Sequence, residues 1–170
     1  MSRINFQSFT GYVTSIEDFP MYPPDEQFGC YKFISVQNET GTIVNFIAGP
    51  DTYFLFQEKV QVGDRITGYY DGDAPAVLIY PPQYQALVIV KENPYSHVKV
   101  SYFDEQLVSS DGNLQLNINE DTQVQLTNGQ YFTQNPARRN LIVVYGASTK
   151  SIPAQTTPYE IIVFCRETGS

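Results

Sequence analysis

The chain carries one histidine, His97, and two cysteines, Cys30 and Cys165. A Ser-His-Asp or Cys-His apparatus needs a histidine as its base. His97 has no cysteine near it in sequence, and the chain contains no G-x-S-x-G elbow. A zinc site of His and Cys ligands would need more such residues than are present. The densest group of oxygen ligands is Asp71-Gly72-Asp73, with Asp64 just upstream. Hard cations such as Ca²⁺ take several oxygens from a tight loop, so Asp64, Asp71 and Asp73 are the candidate metal ligands. The rest of an EF-hand ligand series is missing, however. Asp and Gly also serve turns for backbone reasons, and a solvated turn is the ordinary reading. Paired carboxylates for glycoside cleavage are defined by separation in space, not in sequence. No catalytic residue is assigned, no cofactor is expected, and the reading favours a protein that is not an enzyme.

A third set of candidates is aromatic. There are 13 Tyr, 11 Phe and no Trp. Tyr69, Tyr70, Tyr80 and Tyr84 cluster around a proline-rich stretch, IYPPQYQALVIV, at residues 79–90. By strand alternation Tyr70 shares a face with Ile66 and Gly68 and enters the core, while Tyr69 faces outward. Outward tyrosines can stack on bases or sugar rings, so Tyr69, Tyr80 and Tyr84 are the candidate ligand-binding residues. The alternative is that these rings cap the ends of a fold, packed on one side and wet at the hydroxyl.

Charge narrows the partners. Net charge is −8, and the only adjacent basic pair is Arg138-Arg139. Polyanion binding draws on clustered positive charge and counterion release. Nucleic acid and anionic membrane are therefore not expected partners; a peptide, protein or neutral glycan is, and the oligomeric state is left open. The N-terminus has no apolar core of signal-peptide length, and no run approaches the roughly 18 apolar residues of a membrane span. The expected location is cytoplasmic, with a cell-surface role still open. The two cysteines read as small buried hydrophobes rather than a bridge.

The elements that must position these residues are strands. LQLNINED (114–121) and VKVSYF (98–103) alternate with period two, and LIVVYG (141–146) and YEIIVF (159–164) are β-branched apolar runs. Asn128-Gly129 and Asp111-Gly112 are hairpin signals, the former suited to a type I′ turn. PDTYFLFQEK (50–59) can be read as one helical turn or as a strand. Short strands separated by Gly, Pro and Asn turns indicate a sandwich or barrel.

The pattern also repeats. Residues 66–90 overlay 141–165 at an offset of 75, with Tyr70 on Tyr145 and Tyr84 on Tyr159; upstream, Asp51-Thr52 overlays Asp121-Thr122 at an offset of 70. Five extra residues fit within TNGQYFTQNPARRN. The expected fold is all-β: two tandem, five-stranded, OB-like β-barrels at 1–93 and 94–170, joined by KENPYSH (91–97), with a single β-sandwich as the alternative. Tyr80-Pro81 is a candidate cis peptide bond.

The runs VNFIAGPDTYF, VGDRITGYYDGDAPAVLIYPPQYQALVIV and LIVVYGASTKSIPAQTTPYEIIV resemble a group of uncharacterised proteins from clostridia and related Firmicutes. The resemblance covers nearly the whole chain. It implies tandem OB-like β-barrels of unknown function and supplies no catalytic or binding residues. Similar repeats occur in secreted proteins of that lineage, from which this sequence departs in lacking an export signal.

Overall fold

The computed structural model describes residues 3–19 and 28–166. The fold is all-β, with several sheets. Contacts divide the chain into two compact units. The first is Gln7–Glu92; the second is Asn93–Ser170 together with Met1–Phe6. The leading residues therefore go with the second unit, not with the N-terminal half that a break at 93/94 assigns them to. The reason is local. The Ile4 amide donates to the fully buried Asn140 Oδ1 (3.1 Å), and Phe6 meets Phe164 edge-on.

The first unit contains β1 (Phe6–Asp18), β2 (Lys32–Gln37), β3 (Ile43–Ala48), β4 (Tyr53–Phe54), β5 (Arg65–Asp71), β6 (Gln83–Gln85) and β7 (Val88–Lys91). Their order in the sheet is β4-β7-β5-β1-β2-β3-β6. β6 and β7 are successive pieces of one segment. β6 runs parallel to β3, while β7 runs antiparallel to β5. The pairing therefore passes from β1 through β2, β3, β6–β7 and β5 back to β1. The core packed by these strands is Val13, Ile34, Val36, Val44, Phe46, Ile66 and Ile89. Gly68 belongs to that packing: a Cβ there would lie 2.5 Å from the Phe46 ring.

The second unit contains β8 (His97–Phe103), β9 (Leu114–Leu116), β10 (Gln123–Leu126), β11 (Arg139–Tyr145), β12 (Ala154–Thr156) and β13 (Glu160–Val163). It repeats the pairing. β9 is parallel to β12 as β3 is to β6, and β10 is parallel to β13 as β4 is to β7. β11 is antiparallel to β13 as β5 is to β7. Its core is Phe103, Leu114, Leu116, Leu141, Val143, Ile161 and Val163.

A threonine marks the correspondence. Thr52 Oγ1 accepts from the Gly49 amide and donates to the Ala86 carbonyl. Thr122 Oγ1 accepts from the Asn119 amide and donates to the Pro158 carbonyl. Asp51-Thr52 and Asp121-Thr122 are thus equivalent, as the sequence overlay expects. The offset of 75 holds only through β5 and β11. After the proline loop it becomes 72, because Tyr53 donates to Leu87 where Gln123 donates to Tyr159. Tyr84 therefore matches Thr156, and Leu87 matches Tyr159. The ungapped overlay missed a three-residue difference that only hydrogen-bond register reveals. The cis bonds, Tyr80-Pro81 and Ile152-Pro153, share the offset of 72.

Other expectations are corrected. Residues 50–59 form both readings in succession, a two-residue strand and then a 3-10 turn at Leu55–Gln57. Gly129 has positive φ but Asn128 does not, so the hairpin is not type I′. His97 opens β8 opposite Tyr145 instead of lying in a linker. Cys30 and Cys165 are exposed free thiols, not buried hydrophobes, because each falls just outside a paired strand. No helix among the described residues is long and apolar enough to cross a membrane.

Two stability outcomes follow. Removing the hydroxyl by Thr122→Val leaves the Pro158 carbonyl and the Asn119 amide short of a partner and should cost about 1–3 kcal/mol in chemical denaturation; a loss under about 0.3 kcal/mol would deny the staple its role. The second concerns Asp111. Burial opposes its ionisation, but bonds from Lys99, the Ser109 hydroxyl and the Asn113 amide outweigh this and hold it at about 2. A depressed carboxylate stabilises above its unfolded value and loses that contribution as pH falls from about 4 to about 2. Asp111→Asn should flatten stability across that window, by under about 1 kcal/mol since the pair is part-exposed.

Candidate functional site

Position by position, the candidate carboxylates are engaged in local structure. Asp71 Oδ1 accepts from the Asp73 amide (2.9 Å), and the Asp71 carbonyl accepts from the Ala74 amide, making the loop a self-bonded turn. Asp64 Oδ2 accepts from the Gln61 amide (2.8 Å) and lies 3.3 Å from Lys91 Nζ. The Gln61 amide is the main cause of its carboxyl being held below the usual range, with Lys91 adding to it against a small burial effect. Among the described residues no three His, Cys, Asp or Glu side chains come together.

The tyrosines separate in the same way. Tyr84 stacks on Tyr70 with centroids 3.8 Å apart and planes within 6°, and Phe46 tilts onto both. Tyr84 is thus an inward ring, placed there because β6 runs in parallel register with β3 and sets Tyr84 beside Phe46. Tyr69 is half-buried, and its carbonyl accepts from Leu87. Only Tyr80 is strongly exposed. The three do not make one stacking platform.

A cavity of about 580 Å³ opens elsewhere on the first unit. Its apolar lining is Ile16 from β1, Ile34 from β2, Tyr53 and Phe54 from β4, and Val60 from the following loop. Lys32, Glu58 and Lys59 stand at its edge, all three exposed. Lys32 also pairs with Asp18. One wall is shaped by strain: Phe56 and Gln57 both have positive φ, at 57° and 55°. Non-glycine residues take up that region at a cost and gather at functional sites. Phe56, so held, is exposed.

The same place in the second unit is covered by its own chain. Val124 stands where Phe54 does. Beyond it the longer segment folds back through the Asn128-Gly129 turn, with the Leu126 amide donating to Gln130. The Phe132 amide then donates to the Val124 carbonyl, and its ring packs on the core under Arg139. Sequence reasoning located the five extra residues but not this consequence. The signal was available: the extra length carries Tyr131-Phe132, and the shorter counterpart has no aromatic after Phe56.

No protein-family model matches the chain, and no curated protein matches it.

Burial, together with the neighbouring Tyr84 hydroxyl, pushes the Tyr70 phenol up to about 12. A raised phenol stabilises the fold below its unfolded value near 10 and loses that contribution as pH rises toward 12. An alkaline titration followed by tyrosinate absorbance should show a step near pH 12 that Tyr70→Phe removes; complete ionisation by pH 11 would contradict the stacked arrangement.

Proposed function

We propose that the chain is a non-enzymatic binding protein of two tandem OB-like barrels, and that the first barrel takes an extended apolar peptide segment in the groove between β1, β2 and β4. The single observation that carries this is the groove itself: an apolar floor edged by Lys32, Glu58 and Lys59, in a volume typical of ligand sites. Its second-unit counterpart receives Phe132, which supports an apolar side chain as the natural occupant. The apolar lining joins three aliphatic side chains, Ile16, Ile34 and Val60, to two aromatic ones, Tyr53 and Phe54, which favours an apolar peptide over a neutral glycan.

The barrel reading rests on strand order. A ring β1-β2-β3-β6/β7-β5, with β3 parallel to the last strand and a short turn element between β3 and β5, is the pattern expected of a five-stranded Greek-key barrel. A β-solenoid would stack coils in parallel, yet the longer ladders here, β1–β2, β2–β3 and β8–β11, are antiparallel. The location that accords with this reading is cytoplasmic, and the peptide would belong to a protein partner.

The test is a heteronuclear NMR titration with a valine- and leucine-rich nonapeptide ending in aspartate, with a neutral cello-oligosaccharide as the comparison. Amide shifts should concentrate at Ile16, Ile34, Tyr53 and Val60 for the peptide, and Lys59→Glu should weaken binding several-fold. Shifts at Tyr69 and Tyr80 with the glycan alone would overturn the reading.

A further inference from the structure

The Tyr70–Tyr84 stack is the closest ring contact among the described residues. Its centroids lie 3.8 Å apart with planes within 6°, while the other ring pairs lie 5.4–6.5 Å apart. Aromatic pairs ordinarily sit offset or edge-on at about 4.5–7 Å. The Tyr84 hydroxyl neighbours that of Tyr70. The two phenols therefore point the same way, and the ring carbons flanking each oxygen lie nearly over one another. Phe46, fully buried, tilts onto both rings and holds them from the core side. Both tyrosines are half-buried, so solvent reaches part of each. Folding does not require this arrangement. In the second unit Tyr145 stands where Tyr70 does and Thr156 where Tyr84 does, and the core closes without a stack.

Stacked phenols have a reaction open to them that lone ones lack. A phenol that gives up one electron and its O–H proton becomes a radical, with unpaired density on the carbons ortho to the oxygen. Two such radicals join through their π faces, so the new bond forms perpendicular to the rings. The stack already holds that approach, and reactants held in place behave as if at high local concentration.

We propose that this stack is a site of oxidative cross-linking, where a one-electron oxidant joins Tyr70 to Tyr84 as a dityrosine. Two equivalents of oxidant take one electron from each ring, and the two hydroxyl protons go to solvent. A carbon–carbon bond forms between the ortho carbons. The hydrogen on each of these carbons then passes to its own ring's oxygen, restoring both phenols. The pair loses two electrons and two protons in all. No large reactant has to enter, because only electrons and protons leave. The bond ties β5 to β6 at the base of the loop that exposes Val77, Leu78, Ile79 and Tyr80. Closing residues 70–84 covalently restricts the unfolded chain as a disulfide does.

Irradiating the full chain with ruthenium tris-bipyridine and persulfate, a photochemical one-electron oxidant, should give a monomer lighter by about 2 Da. A peptide map should join the fragments that carry Tyr70 and Tyr84. The yield should be at least about tenfold above that in urea, where the stack is lost and only chance encounters remain. The product should melt several degrees above the parent chain. Tyr84→Phe keeps the ring and removes the phenol, so it should lose the link; a melting curve checks that it folds, and the comparison with urea stands without it. Tyr80, Tyr95 and Tyr131, which are more exposed to the oxidant, serve as the internal comparison. A link that forms equally in urea, a link that survives Tyr84→Phe, or coupling that maps only to those three exposed tyrosines overturns the proposal.

Discussion

Buried backbone amides need partners, and in the first unit one segment, Gln83–Lys91, supplies them to three neighbours. Its first half pairs with β3, its second half with β5 and β4, and the Ala86 and Leu87 carbonyls at the crossover receive Thr52 Oγ1 and the Tyr53 amide. β3 and β5 are joined because this one segment changes partners midway. In the second unit Ala154–Val163 makes the same change, and Thr122 holds the same crossover.

From that constraint the packing differences follow. Register puts Leu116 where Phe46 stands and Val143 where Gly68 stands. In one core a large ring lies over a residue without a side chain; in the other two aliphatic residues share the space. The total is similar and the shapes are not, which is how cores accept substitution while the pairing persists. The Tyr70–Tyr84 stack has no counterpart, because Thr156 replaces Tyr84.

The groove and the exposed loop are where the two units cease to match. Five residues more after Thr122 let the second unit cover its own β10 with Phe132. Three residues more after Tyr70 let the first unit project Val77–Ile79. Insertions in loops cost little in stability, so the strand pairing of each unit is indifferent to them and they are free to build surfaces.

Much of this was open to reading from the residues. Period-two alternation in VKVSYF, β-branched runs in LIVVYG and the Asp-Thr repeat are local signals, and local signals report the strand, its buried face and the turn that ends it. Tyr70 was legible as inward by alternation alone. Tyr84 was not, because what turns it inward is the parallel register of β6 against β3, a contact between residues 38 apart. The cysteines were misread for a related reason: an apolar run shows where a strand is, not which of its last residues keeps a hydrogen-bonded neighbour. The sequence by itself determined an all-β chain and the place of the five residues added after Thr122, but not the three added after Tyr70. Only the tertiary structure decided the three-residue shift in register and the gathering of Ile16, Ile34, Phe54 and Val60 into one groove. Those depend on which strands pair and in what register, a choice set by long-range hydrogen bonds that no local pattern encodes.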